Sequence, residues 1–203
     1  MPYLLASVSS FSSPLTVPNT GGFMNPDAIV EYFNLQPGMK VADFGSGSGY
    51  FTILMAKKVG DGGQITAIDI LESALETVRA KASVSGLKNL QTIRADLEVL
   101  GGSGLPDNSQ DVALLANILF QSVKKPDIIN EAKRVLAPGG LLIVIDWKKG
   151  VNGGVGLPIG QVGPPENSRV DPAEMKISLE NQGLRFVNDI DAGLFHFGFI
   201  YKK

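Results

Sequence analysis

A short stretch between an apolar strand and a helix carries the residues of this chain with the clearest chemical potential. It spans Val41–Phe51, reads VADFGSGSGYF, and has three alternating glycines that begin two residues after Asp43. Glycine has no Cβ, so such a loop can turn tightly and bring its backbone close to a ligand. From Phe51 the apolar spacing becomes helical, and a helix that begins there directs its free N–H groups towards whatever lies over the loop. The pattern therefore predicts a ligand of the nucleotide type.

A second carboxylate follows at the spacing that such a ligand needs. The segment Gln64–Ile68 predicts a second buried strand, and Asp69 ends it about 20 positions beyond the glycine loop. A carboxylate there can accept hydrogen bonds from both hydroxyls of a ribose. The glycine spacing differs from the dinucleotide fingerprint, which separates its last two glycines more widely. A bare glycine loop also fits an ordinary strand-to-helix turn. The presence of Asp43 and Asp69 favours a ligand site over that alternative.

Together with three later motifs, these residues resemble the class I S-adenosylmethionine-dependent methyltransferases. Residues 41–51 are similar to the first motif of that family, hydrophobic-x-[DE]-hydrophobic-G-x-G-x-G. Three later segments match further motifs of the family. IRAD at 93–96 matches the end of its third strand, DVALLAN at 111–117 matches its fourth strand, and RVLAPGGLL at 134–142 matches the approach to its fifth strand. The resemblance extends from about Asn25 to the C-terminus, and it implies both a fold and a cofactor.

The resemblance implies an S-adenosylmethionine site assembled at the ends of successive strands. Asp69 is then the acid that binds the ribose, Asp96 contacts the adenine amino group, and Leu97 lines the adenine pocket. Tyr50 can close the pocket near the carboxylate of the donor. The cofactor contacts implied in this way are Asp43, Gly45, Ser46, Gly47, Gly49, Tyr50, Asp69, Ile70, Asp96, Leu97 and Asn117.

Methyl transfer from a sulfonium is an in-line displacement that depends mainly on how the reacting atoms are held. A base is needed only if the nucleophile must lose a proton, so the chemistry does not require an evident catalytic pair. The candidate catalytic residues are Asn117, which can also simply cap the fourth strand, and Asp146, at the end of the fifth. The NILF sequence at Asn117 lacks both prolines of the [DN]-P-P-[YF] motif that family members acting on amide or exocyclic nitrogens carry. The resemblance therefore favours the branch that acts on small molecules.

Two aromatic residues are further candidates near the acceptor. Trp147 follows Asp146 and can form an aromatic wall for a substrate. His196 is the one histidine of the chain, and its apolar neighbours favour a packed or rim position over that of a base. The chain has no cysteine, and its His, Asp and Glu residues lack the spacing of metal ligands. The sequence therefore predicts no metal site, no disulfide and no cysteine nucleophile.

The elements that would position these residues alternate between strands and helices, as in an α/β fold with a parallel sheet. The predicted strands cover 41–44, 64–69, 90–94, 112–116, 140–146, 185–190 and 196–201, and the predicted helices cover 26–34, 51–60, 71–85, 126–136 and 172–183. The short connection 191–193 predicts that the last two strands form an antiparallel hairpin. The resemblance implies the strand order 3-2-1-4-5-7-6. We therefore expect a single Rossmann-like, doubly wound domain over residues 1–203, with seven strands that are mostly parallel.

Two segments fall outside this alternation. Residues 1–24 are predicted to form a loosely held N-terminal arm, whose Phe23 and Met24 either close over the cofactor or pack against the sheet edge. Residues 149–170 are rich in Gly and Pro and follow the fifth strand. That position favours a lid on the substrate side, with a tolerated surface loop as the alternative.

Composition excludes some other classes of function. The 203 residues are enough for one α/β domain, and the hydrophobic share of 44% against 19% charged residues is typical of a globular protein. A net charge of −2 with scattered lysine pairs argues against a broad nucleic-acid surface. No apolar run is long enough to span a membrane, and the N-terminus lacks a signal-peptide pattern, so a cytoplasmic location is expected. The oligomeric state leaves no signature in the sequence.

The leading hypothesis is a methyltransferase that moves a methyl group from S-adenosylmethionine to a small organic acceptor. One alternative is a protein that keeps the cofactor fold as a non-catalytic partner subunit, which the bare region after the fourth strand leaves open. A second alternative is an NAD-dependent oxidoreductase, against which the glycine spacing and Asp43 argue.

Overall fold

A computed structural model of the chain describes residues 22–151 and 162–203. The strands in this part are β1 Lys40–Phe44, β2 Gln64–Asp69, β3 Leu90–Arg94, β4 Gln110–Ala116, β5 Leu136–Trp147, β6 Arg185–Ile190 and β7 His196–Lys202. The helices are α1 Pro26–Ile29, α2 Tyr50–Val59, α3 Glu72–Val84, α4 Lys125–Val135 and α5 Pro172–Asn181. Residues 1–21 of the predicted arm and 152–161 of the predicted lid lie outside the described residues.

The strands form one sheet in the order β3-β2-β1-β4-β5-β7-β6. The first five strands in this order, β3, β2, β1, β4 and β5, are parallel to one another. Strand β7 is antiparallel to both β5 and β6. The predicted α/β class, strand order and antiparallel C-terminal pair are therefore confirmed. In the described part of the chain, no helix has the length and apolar character needed to cross a membrane.

Helices cover both faces of the sheet, and this explains why the central strands are apolar throughout. Along β4, Val112 and Leu114 belong to the core under α1 and α2, whereas Ala113 and Leu115 belong to the core under α4 and α5. Strands buried on both faces need apolar residues at every position. The ends of β1 to β4 are then the places where polar residues can face a ligand.

Two elements differ by more than two residues from their predicted extents. The first helix is α-helical only to Ile29 and continues as a 3-10 turn over Val30–Phe33, because Asn34 adopts a left-handed conformation with φ of 50° and ends it. Strand β5 begins at Leu136 rather than at Gly140. Its pairing with β4 shifts register between Gln110 and Val112, so the Pro-Gly-Gly turn is contained within the strand as an irregularity.

Candidate functional site

The glycine loop after β1 depends on glycine for two different reasons. Gly49 caps α2 with φ of 78°, and a Cβ there would lie 2.7 Å from the Val78 side chain. A Cβ on Gly45 would lie 2.5 Å from the Cδ1 atom of Ile118. The first glycine thus allows the turn after β4 to approach the loop, and the last allows a left-handed residue directly before the helix.

Asp69 joins the glycine loop to the end of β2. This buried carboxylate accepts the Gly47 N–H through Oδ2 at 2.8 Å and the Leu71 N–H through Oδ1 at 2.9 Å. Each carboxylate oxygen has two lone pairs, so each can still accept a hydrogen bond from a ligand. The geometry is compatible with the ribose contact that the sequence predicts.

Asp43 lies buried on β1, beneath the same loop. One of its oxygens accepts the Thr52 hydroxyl at 2.5 Å. Burial raises the pKa of the Asp43 carboxyl to about 6, against the lowering by the Thr52 hydrogen bond, and the charge of Asp69 adds to the increase. The sequence analysis missed Thr52, although a polar residue between Phe51 and Met55 on the buried face of α2 is a detectable signal.

A single cavity of about 690 Å³ opens at the carboxyl ends of β1 to β4, which is within the size range of small-molecule sites. Ten of the eleven predicted cofactor residues line it: Asp43, Gly45, Ser46, Gly47, Tyr50, Asp69, Ile70, Asp96, Leu97 and Asn117. The exception is Gly49, which shapes the start of α2 instead. Residues that are far apart in the sequence are thus brought together around one space.

Two polar atoms of residues that line this cavity are buried and have no hydrogen-bond partner among the residues that the structure describes: the Ser46 hydroxyl oxygen and Oδ1 of Asn117. The Asn117 backbone is held at φ of 55° by its N–H, which donates to Ile145, and by its carbonyl, which accepts from the Gln121 side chain. Buried polar atoms normally find a partner because leaving them unpaired is costly. These two atoms are therefore available to a ligand, and with the Asp69 carboxylate they fit the hydroxyls, amine and carboxylate of S-adenosylmethionine.

Asp146 does not line the cavity. Its fully buried carboxylate accepts three backbone N–H groups, from Leu119 at 2.8 Å, Phe120 at 3.3 Å and Trp147 at 2.7 Å. Burial raises the pKa of Asp146 to about 6, although these hydrogen bonds lower it. The position favours a role in holding the turn that carries Asn117, and the predicted role as a base has no geometric support in the cavity.

The other aromatic candidates also lie away from the cavity. His196 is buried with its ring centroid 4.1 Å from that of Trp147, and within residues 22–151 and 162–203 neither of its ring nitrogens has a hydrogen-bond partner. Burial, followed by the charge of Arg169, lowers the pKa of His196 to about 4. The histidine is thus neutral and packed, as its apolar neighbours in the sequence favoured.

The N-terminal residues Phe23 and Met24 lie in different places, Phe23 against the connector between β6 and β7 and Met24 at the cavity. Phe23 packs against Phe195 with ring centroids 5.1 Å apart, and the preceding carbonyl of Gly22 accepts the Leu194 N–H at 2.8 Å. Met24 lines the cavity. The connector between β6 and β7 therefore anchors the chain where it reaches the site.

Glu98, which lines the cavity, is a second residue of the site that the sequence analysis missed. It accepts the Ser122 hydroxyl at 2.6 Å, so the loop after β3 is linked to the loop after β4, and Ser122 also lines the cavity. The signal was a carboxylate two residues beyond Asp96. Among the residues that the structure describes, no group of three His, Asp or Glu side chains could hold a metal ion.

The described ends of the predicted lid, residues 149–151 and 162–170, are tied together by Arg169. Its guanidinium donates to the carbonyls of Pro164, Val151 and Val162. The Gly150 N–H donates to Glu166 at 2.6 Å. These bonds close the base of the segment beside β5, and a role as a lid remains a prediction.

Residues 35–160, more than half of the chain, match the family model described as "Methyltransferase domain". The chain belongs to this methyltransferase family. The ubiquinone/menaquinone biosynthesis C-methyltransferase UbiE of Shewanella sediminis (strain HAW-EB3) is 36% identical over 121 residues, which are 59% of this chain and 47% of that protein. This methyltransferase chain thus spans about half the length of the curated relatives that it matches.

Solved structures extend the likeness over most of the methyltransferase chain. A SAM-dependent methyltransferase from Aquifex aeolicus is 28% identical with a TM-score of 0.77, covering 92% of this chain and 93% of that one. The [4+2]-cyclase SpnF is 26% identical with a TM-score of 0.67, covering 83% of this chain and 61% of that one. The fold and cofactor class that the resemblance implied, a class I S-adenosylmethionine-dependent methyltransferase, are therefore confirmed.

Proposed function

We propose that the protein transfers a methyl group from S-adenosylmethionine to a small organic acceptor. The observation that carries the proposal is one cavity lined by Asp43, Asp69 and Asp96, together with two unpartnered polar atoms on Ser46 and Asn117. When bound, S-adenosylmethionine supplies a methyl group that its sulfonium charge activates towards a nucleophile. The residues of the chain then act chiefly by binding and orienting both substrates.

The roles follow from the free hydrogen-bonding capacity of each group. Asp69 binds the ribose hydroxyls, since each of its oxygens accepts only one backbone N–H. Asp96 and Leu97, directly after β3, hold the adenine. The Ser46 hydroxyl and the Asn117 amide bind the amino acid portion of the donor, because both have buried oxygen atoms without a partner in the described part of the chain.

The acceptor enters beside the turn that follows β4, where Asn117 and Gln121 line the cavity. The UbiE relatives are named for C-methylation in ubiquinone and menaquinone biosynthesis, and they support a small aromatic ring as the first acceptor class to test. Hydroquinone is the simplest such ring. A cytoplasmic location, which cell fractionation tests, belongs to the same proposal.

Calorimetric titration with S-adenosylmethionine and then with S-adenosylhomocysteine tests the cofactor part of the proposal. We expect micromolar binding of both, and a loss of affinity in Asp69→Ala. Formation of S-adenosylhomocysteine with hydroquinone or a related ring then tests the transfer. No binding of either ligand would contradict the proposal. Binding without turnover of any acceptor would favour the non-catalytic partner subunit, an alternative that the comparisons do not support.

A further inference from the structure

The charged side chains that line the cavity are all acidic. Four carboxylates line it, those of Asp43, Asp69, Asp96 and Glu98. Among the described residues, its lining includes no lysine, arginine or histidine. Of the four, only Glu98 has a salt bridge within the described part of the chain.

The residues outside the described part of the chain have no charged side chain to add to the cavity. Residues 1–21 and 152–161, which lie outside the described part, contain no Asp, Glu, Lys, Arg or His. Whatever they contact, they add only apolar and uncharged polar side chains. The charge of the cavity wall is therefore set by the residues that the structure describes.

Four cations lie next to the wall, and each is already bound to one of its oxygen atoms. The Lys125 ammonium donates to the Ser122 carbonyl at 2.6 Å. Lys81 donates to a backbone carbonyl of the glycine loop at 2.8 Å, and Arg94 donates to the Ile70 carbonyl at 3.1 Å. The Lys124 ammonium lies 3.7 Å from a carboxylate oxygen of Glu98. None of the four is among the residues that line the cavity, and each is already held by an oxygen atom of its wall.

The carboxylates influence one another across this space. Burial is the main cause of the raised pKa of Asp43, and the charge of Asp69 raises it further. The repulsion between these two carboxylates is that of a negative field in this part of the cavity. A field of this sign attracts a cationic ligand and repels an anionic one.

We infer that the acceptor of this cavity is uncharged or cationic, and that carboxylate-bearing and phosphorylated acceptors are excluded. The inference rests on the proposed function and specifies its substrate class. An anionic acceptor would add a negative charge to a cavity that four carboxylates line, with no cationic side chain among its lining residues to pair with. Like charges brought together at a binding site cost several kcal/mol. The sulfonium of the donor carries the charge that the wall favours.

A binding experiment tests the field without any acceptor. Sinefungin carries an amine at the position of the donor sulfonium and is cationic there, whereas S-adenosylhomocysteine has a neutral thioether. At low ionic strength we expect sinefungin to bind at least about tenfold more tightly. The ratio should approach unity near 1 M NaCl, where the Debye length is about 3 Å. Equal or tighter binding of S-adenosylhomocysteine, independent of salt, would overturn the inference.

A pair of charge-removing variants separates the cavity field from the net charge of the protein. Glu98→Gln removes one charge from the cavity wall while the amide oxygen can still accept the Ser122 hydroxyl. Glu76→Gln removes one charge from the exposed face of α3. The preference for sinefungin should fall about threefold in Glu98→Gln and stay unchanged in Glu76→Gln, because the half-buried Glu98 lies at the cavity wall whereas the charge of the exposed Glu76 is screened. An equal fall in both variants would contradict a local effect.

Three matched acceptors then test the substrate class directly: hydroquinone, its 2-carboxylate and its 2-aminoethyl derivative. We expect S-adenosylhomocysteine to form with the neutral or the cationic ring, and kcat/KM to be at least about tenfold lower with the carboxylate. Preference for the carboxylate would overturn the inference while the proposed function stands. If none of the three reacts, the sinefungin ratio alone decides. If neither nucleoside binds, the proposed function falls and the inference falls with it.

Discussion

The ends of β1 and β5 each carry a buried aspartate, and the two are satisfied in different ways. Burial raises the pKa of both carboxyls, Asp43 and Asp146, to about 6. Asp146 accepts three backbone N–H groups of the surrounding chain. Asp43 accepts one side-chain hydroxyl, that of Thr52, and lines the cavity.

The difference teaches how a structural carboxylate can be told from a carboxylate available to a ligand. The residue type, the strand-end position and the direction of the pKa shift are the same in both, so none of these separates the two. What separates them is the number of donors that the protein supplies. A carboxylate with its oxygens engaged by backbone N–H groups stabilises the local fold, and one with spare capacity facing a cavity can bind a ligand.

Removal of the structural carboxylate should have the largest effect. Asp146→Ala leaves three buried N–H groups without their acceptor, and each such group costs about 1–3 kcal/mol. We expect the free energy of unfolding to fall by about 3 kcal/mol or more, and Tm by roughly 6–12 °C for a chain of this size. Asp61→Ala, at an exposed turn, is the matched control. Equal thermal unfolding of both variants would show that the three bonds contribute little.

Removal of the cavity carboxylate should stabilise the protein instead. The pKa of Asp43 is raised from 3.8 to about 6 on folding, so its favourable contribution is complete below pH 4 and is lost as the pH rises through 6. At pH 8, Asp43→Asn should therefore exceed the wild type by up to roughly 3 kcal/mol. The gain should disappear below about pH 4, where the wild-type carboxyl is protonated in both states.

Urea unfolding at pH 4, 6 and 8 measures this gain, and titration with S-adenosylhomocysteine measures its consequence for binding. We expect Asp43→Asn to bind S-adenosylhomocysteine more weakly while its free energy of unfolding rises, because the Asp43 carboxylate contributes to ligand binding and not to stability. A variant less stable than the wild type at pH 8 would remove the distinction between Asp43 and Asp146.

Much of this architecture was predictable from sequence because it follows from local pattern and known motifs. The strand order, the antiparallel end and the grouping of Asp69 and Asp96 near the glycine loop followed from apolar runs and from the resemblance. The early start of β5 did not, because Pro138 and Gly139 normally end a strand, and this one is maintained by contacts with β4 and with Lys203, which are distant in the sequence.

The partners of the site residues were less predictable than the residues themselves. Thr52 and Glu98 contact Asp43 and Ser122 through side-chain hydrogen bonds that depend on the exact approach of two elements. Asp146 was a candidate base because of its position at a strand end. The three N–H groups that satisfy it come from its own strand and from a turn more than 25 residues earlier in the chain, and periodicity carries no information on such contacts.

A third carboxylate, Asp96, tests whether spare capacity predicts which ligand group is bound. It is exposed and accepts one backbone N–H, from Glu98 at 2.9 Å, so it can accept another donor. If that donor is the adenine amino group, the wild type should bind S-adenosylhomocysteine roughly tenfold more tightly than S-inosylhomocysteine, which lacks the amino group. Asp96→Asn should lose most of this preference with no change in Tm. The same preference in both proteins would place the adenine elsewhere.

The smallest expected effect distinguishes two serines whose hydroxyl groups are buried, as the number of donors distinguishes the two aspartates. In the described part of the chain the Ser46 hydroxyl has no partner, whereas the Ser103 hydroxyl donates to Glu131 at 2.5 Å and accepts from Arg134 at 3.3 Å. Ser46→Ala should leave the free energy of unfolding unchanged and weaken S-adenosylhomocysteine binding about threefold, the value of one modest hydrogen bond. Ser103→Ala should lower stability by about 1–2 kcal/mol, because it removes a partner from a buried carboxylate, while the affinity of the folded protein changes less than in Ser46→Ala. The reverse assignment, with Ser46→Ala losing stability and keeping affinity, would show that an unpartnered polar atom in this cavity does not identify a ligand contact.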